Sequence, residues 1–154
     1  MKKSMLICGG DGFIGKNAID FFKNKYDITA TIFGKTSPTR GTTENVEYVS
    51  VDLRNESEVI SLFERQCFDI VLQAAATTTG AKDVVERPYV HVTDNTVMNA
   101  WIFREAMKTG VGHLLFPSCT VMYQPKEHPQ SETEWSPLDE MYQAYFGVGN
   151  MKVF

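Results

Sequence analysis

The sequence predicts an α/β fold built on a doubly wound parallel sheet of about five strands. Two features of the 154-residue chain predict it. Short apolar runs alternate with longer amphipathic segments, and four glycines fall between positions 9 and 15, directly after the first apolar run. Strands that alternate with helices favour a parallel sheet with right-handed crossovers. Continuously apolar strands are typical of a sheet that is covered on both faces.

The first half of the chain predicts three strands and two helices. Apolar residues at near-helical spacing predict a helix over 13–25, and the apolar positions within 59–63 predict a shorter one after Asn55. The polar segment 35–43 contains glycine and proline and predicts a loop. The three strands are expected over the short apolar or β-branched runs Ser4–Cys8, Ile28–Phe33 and Val46–Val51.

The second half predicts two more strands and a long helix. The strands are expected at Asp69–Leu72 and His113–Phe116, the second of which is stopped by Pro117. The long helix is expected over roughly 92–109, where Gly110 is a suitable C-terminal cap. The proline-containing polar segment 124–138 predicts a loop, and a last helix is expected to begin within 140–154.

Composition and charge restrict the class of protein. The net charge of −4 argues against nucleic acid or an anionic membrane as the main partner. Three scattered cysteines give neither a disulfide framework nor a zinc spacing. The apolar run near the N-terminus is too short for a secretory signal, and no stretch approaches the ~20 apolar residues of a membrane span. We therefore expect a single cytoplasmic domain over residues 1–154, without a metal site.

The glycine-rich segment has the pattern Gly9-x-x-Gly12-x-x-Gly15, between a predicted strand and a predicted helix. Glycine permits positive φ in such a turn, and it lets the backbone approach a pyrophosphate and the helix pack closely on the strand. The N-terminus of the helix offers unpaired N–H groups and a partial positive charge. The pattern therefore predicts a phosphate site, the alternative being a turn that only connects strand to helix.

The segment GGDGFIG at positions 9–15 resembles the GGTGFIG fingerprint of the extended short-chain dehydrogenase/reductase family. That family comprises NAD(P)-dependent sugar-nucleotide epimerases, dehydratases and reductases. Segments Asn95–Asn99 and Ser118–Tyr123 look most like its GDP-fucose synthase branch. Further segments resemble the family in the same order along the chain: Val51–Arg54, Asp69–Ala76, Asp94–Asn99 and Leu114–Tyr123.

The resemblance implies a Rossmann-like fold and a set of residues for a nicotinamide dinucleotide. It implies that Asp52 contacts the adenine amino group, that segment 74–76 borders the nicotinamide side, and that Asn95 is a structural asparagine. The residues that it assigns to the cofactor site are Gly9, Gly12, Phe13, Ile14, Gly15, Asp52, Leu53, Ala74, Ala75, Ala76 and Asn95.

The resemblance also implies a tyrosine that exchanges a proton with a substrate hydroxyl, and a lysine that lowers the pKa of that phenol. The expected Tyr-x-x-x-Lys motif is absent, and we assign the pair to Tyr145 and Lys152, seven residues apart. On an ideal helix they would stand about 10.5 Å apart along the axis, against about 6 Å for the four-residue spacing. Either an irregular backbone brings the two together or the pair is lost.

A serine or threonine that orients the substrate is also implied. Counting back four residues from Tyr123, as the family pattern does, gives Cys119, with Ser118 and Thr120 on either side. Alternate residues of an extended segment face the same way, so Ser118 and Thr120 would point together and Cys119 away from them. Thr120 is the first candidate and Ser118 the second, while Cys119 is interpreted as a packing residue.

The segment after the second strand bears on the choice of cofactor. NAD-specific domains place an acidic residue there on the ribose 2′-OH, but no Asp or Glu lies between Ile28 and Gly41. Lys35 and Arg40 follow instead, and cations suit a 2′-phosphate. NADP is therefore preferred to NAD, the alternative being a solvated loop whose charges do nothing for the cofactor.

The resemblance further implies a second, substrate-binding half and a helix that packs across a dimer interface. The chain stops where that helix would begin, so we expect it to be the cofactor-binding half, truncated relative to the family. The expected function is that of an NAD(P)-dependent epimerase, dehydratase or reductase acting on a nucleotide sugar, possible as a homodimer. The alternative is a non-catalytic NAD(P)-binding module or fragment that binds without turnover.

Overall fold

The computed structural model describes residues 2–34, 45–78, 80–138 and 140–153. The chain divides into two compact units. The sheet unit comprises residues 1–76 and 97–117, and the C-terminal unit comprises 77–96 and 118–154. The predicted cofactor residues Lys35 and Arg40 lie outside the described residues.

The part of the sheet unit that the structure describes contains five parallel strands in the order β3-β2-β1-β4-β5. This order reverses direction between β1 and β4, which is the switch point where ligands bind in doubly wound sheets. The predicted fold class is confirmed, and each predicted strand is present. The strands are β1 (Lys3–Cys8), β2 (Tyr26–Ile32), β3 (Val46–Ser50), β4 (Ile70–Gln73) and β5 (His113–Leu115).

Within the described residues, five α-helices and three single turns of 3-10 helix connect these strands or follow them. The α-helices are α1 (Phe13–Phe22), α2 (Glu56–Glu64), α3 (Ala81–Glu86), α4 (Pro88–Lys108) and α5 (Phe146–Val153). The 3-10 turns are Thr120–Met122, Glu132–Glu134 and Gln143–Tyr145. Within the described ranges, no helix is both long and apolar enough to cross a membrane.

From Met5 onward, the central strand β1 is buried on both faces of the sheet, and its alternate side chains enter two separate apolar clusters. Met5 and Ile7 pack on one face with Ile19 of α1. Leu6 packs on the other face with a cluster that includes Ile102 from the second half of α4. The members of that cluster contributed by α2 are Val59, Leu62 and Phe63. The predicted apolar face of the helix after Asn55 is therefore the buried one.

The helix boundaries differ from the prediction at several places. Helix α1 ends at Phe22, three residues early, because a turn at 23–25 leads into β2. Helix α4 starts at Pro88, four residues before the predicted start, since proline is favourable at the first helical position, where no N–H is needed. Its end agrees with the prediction, with Gly110 at a φ of +73°.

Two further elements were not predicted as they occur. Helix α3 has only six residues, too few to show a helical period in the sequence. The last helix begins at Phe146, within the expected range 140–154, and it follows a 3-10 turn at Gln143–Tyr145 that was not predicted. The loop predicted over 124–138 contains one ordered turn, where the Ser131 and Glu134 side chains form a capping box.

Candidate functional site

The glycine turn after β1 lies against two other segments of the sheet unit. The Gly9 N–H donates to Thr31 Oγ1 at 3.1 Å, and the Gly10 N–H donates to the Thr31 carbonyl at 2.7 Å. Gly9 has a φ of +80°, which L side chains rarely adopt. A Cβ on Gly9 would also lie 2.8 Å from the Ala75 Cα atom. Both conformation and space therefore require glycine at this position.

Two other glycines of the turn are restricted by close approach. A Cβ on Gly10 would lie 2.7 Å from the Ala30 Cβ atom. A Cβ on Gly15 would collide with the Gly9 carbonyl oxygen, and it would lie 2.8 Å from the Gly9 carbonyl carbon. Helix α1 can therefore start directly on the turn only because residue 15 has no side chain.

The N-terminus of α1 is open to an anion. Gly12 caps the helix in an extended conformation without a side-chain hydrogen bond, and the first turn contains no acidic residue. Phe13 is 86% exposed and Ile14 is 46% exposed, so both predicted cofactor residues lie at the surface beside the turn. The helix dipole and the N–H groups of this turn favour negative charge.

Asp52, at the end of β3, is bound by a nearby arginine. Arg54 Nε lies 2.9 Å from Asp52 Oδ1, Arg54 Nη2 lies 2.9 Å from Oδ2, and the Arg54 N–H donates to Oδ1 at 3.0 Å. These hydrogen bonds lower the pKa of the Asp52 carboxyl below its ordinary value, against a smaller effect of burial. The guanidinium also lies 5.0 Å from the centroid of the exposed Phe33 ring. Leu53 is buried in the core, so its side chain presents no surface to a ligand.

The segment that follows β4 continues along β1 for one residue. The Ala74 N–H donates to the Cys8 carbonyl at 3.2 Å. The backbone of Ala75 is bound instead by the side-chain amide of Gln73, a buried residue to which the sequence analysis gave no role. Its only signal in the sequence is a polar residue that ends the apolar run Ile70–Leu72.

In the C-terminal unit, the Asn95 amide binds the backbone of Thr77. The Thr77 N–H donates to Asn95 Oδ1 at 2.8 Å, and Asn95 Nδ2 donates to the Thr77 carbonyl at 3.1 Å and the His91 carbonyl at 2.7 Å. Asn95 is 5% exposed. These contacts are those of a structural asparagine, which shapes the chain at Thr77 through hydrogen bonds to the backbone.

The predicted substrate-orienting residues lie at the start of the C-terminal unit's second segment. The Ser118 hydroxyl donates to the Met122 sulfur at 2.7 Å. Thr120 begins the 3-10 turn and is exposed, whereas Cys119 before it is extended and half-buried. Thr120 thus lies at the surface, and the Ser118 hydroxyl already has a protein partner.

The predicted proton-transfer pair belongs to the same unit. Helix α5 packs closely on the 3-10 turn at 120–122. A Cβ on Gly149 would lie only 3.1 Å from the Val121 carbonyl oxygen, so glycine permits this close approach. Burial lowers the pKa of the Lys152 ammonium, and electrostatic attraction to the Cys119 thiol opposes that shift. The Tyr145 ring packs on Tyr142, with 5.9 Å between centroids. The Tyr145–Lys152 pair itself stays a prediction.

Comparison with known proteins identifies similar sequences along nearly the whole chain. The model of the NAD dependent epimerase/dehydratase family matches residues 5–145. UDP-glucose 4-epimerase 2 of Arabidopsis thaliana is 27% identical over 152 residues, covering 90% of this chain and 42% of its own length. GDP-L-fucose synthase of Azorhizobium caulinodans is 29% identical over 122 residues, covering 79% of this chain and 34% of its own. These matches confirm the resemblance found in the sequence.

Solved structures of similar proteins share the fold. UDP-glucose 4-epimerase of Thermotoga maritima superposes with a TM-score of 0.78 at 21% identity, covering 97% of this chain and 48% of that chain. UDP-glucose 4-epimerase of Bifidobacterium longum, in complex with NAD+ and UDP, superposes with a TM-score of 0.76 at 22% identity, covering 98% and 46%. The chain thus spans less than half the length of these relatives.

Proposed function

Because the chain belongs to the NAD dependent epimerase/dehydratase family, we propose that it is the cofactor-binding part of an NAD(P)-dependent epimerase, dehydratase or reductase that acts on a nucleotide sugar. The observation that carries the proposal is the glycine turn. Added Cβ atoms on Gly9, Gly10 and Gly15 would meet neighbouring atoms at less than contact distance. The turn therefore keeps backbone exposed at the switch point, where a pyrophosphate can approach N–H groups closely.

The residues around the turn fit a dinucleotide. The uncapped first turn of α1 would bind the pyrophosphate, with Phe13 and Ile14 beside it. Asp52 and Arg54 at the end of β3 would border the adenine, and Ala74–Ala76 the nicotinamide. When bound, the dinucleotide supplies the group that accepts and returns a hydride.

We assign NADP as the preferred cofactor. No acidic residue lies between Ile28 and Gly41 to accept a hydrogen bond from a ribose 2′-OH, while Lys35 and Arg40 supply cations in that segment. A 2′-phosphate carries negative charge and binds well to such cations.

In the catalytic form of the proposal, Thr120 orients the substrate oxygen by a hydrogen bond, with Ser118 as the second candidate. Tyr145 takes the proton of a substrate hydroxyl. The carbon that bears this hydroxyl gives up its hydride, for which the dinucleotide would be the acceptor. Lys152 supplies the cation of the proposed pair, because a positive charge favours an anionic proton acceptor. Each of these four residues belongs to the C-terminal unit.

A second function, binding without turnover, is favoured by the spacing and the surroundings of the proposed proton-transfer pair in the C-terminal unit. The Tyr-x-x-x-Lys spacing is absent, and the Lys152 ammonium interacts electrostatically with Cys119. Tyr145 ends a 3-10 turn before α5 begins, so the two residues do not share one regular helix. A chain in which Lys152 does not reach the phenol would bind the dinucleotide but leave the tyrosine without its cation.

Calorimetric titration with NADP and NAD tests the shared claim of both functions. We expect the unmodified chain to bind, and Gly15→Ala to abolish binding, because its Cβ meets the Gly9 carbonyl. Gly112→Ala is the matched control, since it also adds a methyl group to the sheet unit, at a position without positive φ where the nearest atom is the Asp69 carbonyl oxygen at 3.4 Å. Failure of the unmodified chain to bind either dinucleotide would contradict the proposal.

Turnover separates the two functions. The chain is incubated with dinucleotide and with UDP-glucose or a GDP-sugar, and reduction of the dinucleotide and conversion of the sugar are followed. Activity that Tyr145→Phe abolishes and Tyr142→Phe retains supports the enzyme. Binding without conversion of any nucleotide sugar supports the binding module.

A further inference from the structure

The side-chain amide of Gln73 binds the backbone of the chain just beyond the last residue of β4. Gln73 Nε2 donates to the Ala75 carbonyl at 3.2 Å, and the Ala75 N–H donates to Gln73 Oε1 at 3.3 Å. We call these two hydrogen bonds the Gln73–Ala75 clamp. One side chain thus satisfies both polar backbone groups of Ala75, as a neighbouring strand would.

Helix α4 provides a further hydrogen-bond partner for Gln73 from its second half. Gln73 Nε2 donates to Asn99 Oδ1 at 2.9 Å, between residues that are 1% and 8% exposed. A buried amide must be hydrogen-bonded, and an apolar residue at position 73 would fill the same space without that requirement. Packing alone therefore does not account for a glutamine at this position.

The segment fixed by the clamp is the one on which the glycine turn rests. A Cβ on Gly9 would lie 2.8 Å from the Ala75 Cα, 2.9 Å from the Ala75 nitrogen and 3.2 Å from the Ala74 carbonyl carbon. Ala75 and Gly9 are thus in backbone-to-backbone contact. A displacement of the Ala75 peptide by a fraction of an ångström changes the position of Gly9, because no side chain lies between them to absorb it.

We infer that Gln73 is a positioning residue of the dinucleotide site. Its amide fixes the Ala75 backbone, and Ala75 in turn fixes the Gly9 turn to which the pyrophosphate binds. Gln73 itself, being buried, does not touch the ligand. The inference rests on the proposed function and adds to it a buried residue that increases cofactor affinity without touching the cofactor.

Two variants separate positioning from mere stability. Gln73→Met and Asn99→Met both remove the hydrogen bond between the two side chains, but only Gln73→Met removes the clamp. The melting temperature of the cofactor-free chain and the dissociation constants for NAD and NADP are measured for both variants and the unmodified chain. We expect both variants to lose stability and Gln73→Met to bind at least about tenfold more weakly, as the loss of one to two hydrogen bonds gives.

The comparison of the two variants decides the inference. The dissociation constants of Asn99→Met are expected to lie within about threefold of those of the unmodified chain. Such a change corresponds to less free energy than one hydrogen bond contributes. Equal affinities of Gln73→Met and Asn99→Met would overturn the inference while leaving the proposed function intact. An unmodified chain that binds neither dinucleotide would instead overturn the proposed function.

Amide hydrogen exchange provides a measurement that does not depend on a folded variant. The Ala75 N–H lies beyond the last residue of β4, so without the clamp it would exchange like a loop amide. We expect strong protection of this amide in the unmodified chain, comparable to that of the Ala74 amide. Exchange of the Ala75 amide at the unprotected rate would show that the clamp does not exist in solution.

Discussion

Arg54 binds both carboxylate oxygens of Asp52 from two residues away, each at 2.9 Å. Two parallel hydrogen bonds of this kind fix the orientation of a carboxylate as well as its charge. The resemblance assigns Asp52 to the adenine of the cofactor. The orientation of the Asp52 carboxylate is therefore set by the protein itself, before any ligand binds.

Replacing Arg54 is expected to change the titration of Asp52. The Arg54→Met variant should raise the pKa of the Asp52 carboxyl toward its ordinary value, because the hydrogen bonds from Arg54 are the largest cause of its lowered pKa. Carboxyl chemical shifts followed by NMR against pH measure this change. Arg65→Met is the matched control, since it removes an exposed ion pair with Glu47 in the same unit. An unchanged Asp52 titration in Arg54→Met would contradict the assignment.

The same pair has a consequence for stability against pH. A carboxyl whose pKa is lower in the folded chain stabilises it above the unfolded pKa, about 3.9 for aspartate. That contribution is lost as the pH falls through the folded pKa. The stability difference between the unmodified chain and Arg54→Met should thus be present at neutral pH and shrink below about pH 4, the ordinary aspartate range.

Asn55→Ala is expected to lower the free energy of unfolding by about 1 kcal/mol, as the loss of a helix cap does. Asn55 Oδ1 accepts hydrogen bonds from the N–H groups of Ser57 and Glu58 at the start of α2. Urea unfolding followed by circular dichroism measures the change. Asn17→Ala in α1 is the control, because an interior helical position favours alanine. Equal stability changes in the two variants would argue against the cap.

The two cysteines of the sheet unit are expected to differ in reactivity. Burial raises the pKa of the Cys8 thiol to about 12, only partly offset by a hydrogen bond with Thr31, whereas Cys67 is exposed. Since the thiolate is the reactive form, an alkylating reagent should label Cys67 in the folded chain and Cys8 only after unfolding. Mass spectrometry of the labelled peptides measures both, and rapid labelling of Cys8 in the folded chain would contradict its burial.

Lys35→Ala and Arg40→Ala are each expected to weaken NADP binding by about tenfold, as the loss of a charge-assisted hydrogen bond does. NAD binding should change little, because NAD lacks the 2′-phosphate. Lys25→Ala is the matched control, since Lys25 precedes β2 whereas Lys35 and Arg40 follow it. Equal losses of affinity for NADP and NAD would show that the two cations do not bind the 2′-phosphate.

Local patterns in the sequence predicted most of the fold and the glycine turn. The apolar runs predicted every strand, and the spacing of Gly9, Gly12 and Gly15 predicted the strand–turn–helix junction. Pro88 could not be placed in the same way, because proline is compatible both with a helix start and with a break. A six-residue helix such as α3 is too short for its period to be visible.

Contacts between distant residues explain what the sequence could not predict of the site. Gln73 and Asn99 are 26 positions apart, and only the crossover of α4 brings their side chains together. Arg54 and Asp52, by contrast, are separated by one residue, so their ion pair could have been predicted from the sequence. The contact between the Phe33 ring and the Arg54 guanidinium depends on the pairing of β2 with β3, which is a tertiary contact.

The glycine turn has a genetic consequence. Every missense codon change at Gly9, Gly10 or Gly15 adds a Cβ, and at each position that atom would meet a neighbour within 2.8 Å. A saturation mutagenesis library should therefore lose all substitutions at these three codons, alanine and serine included. Gly80 and Gly110 have positive φ but open space, so asparagine and aspartate should survive there. At these three codons we therefore expect rejection of every substitution almost without regard to its chemistry, unlike at the exposed Asp11 within the same turn.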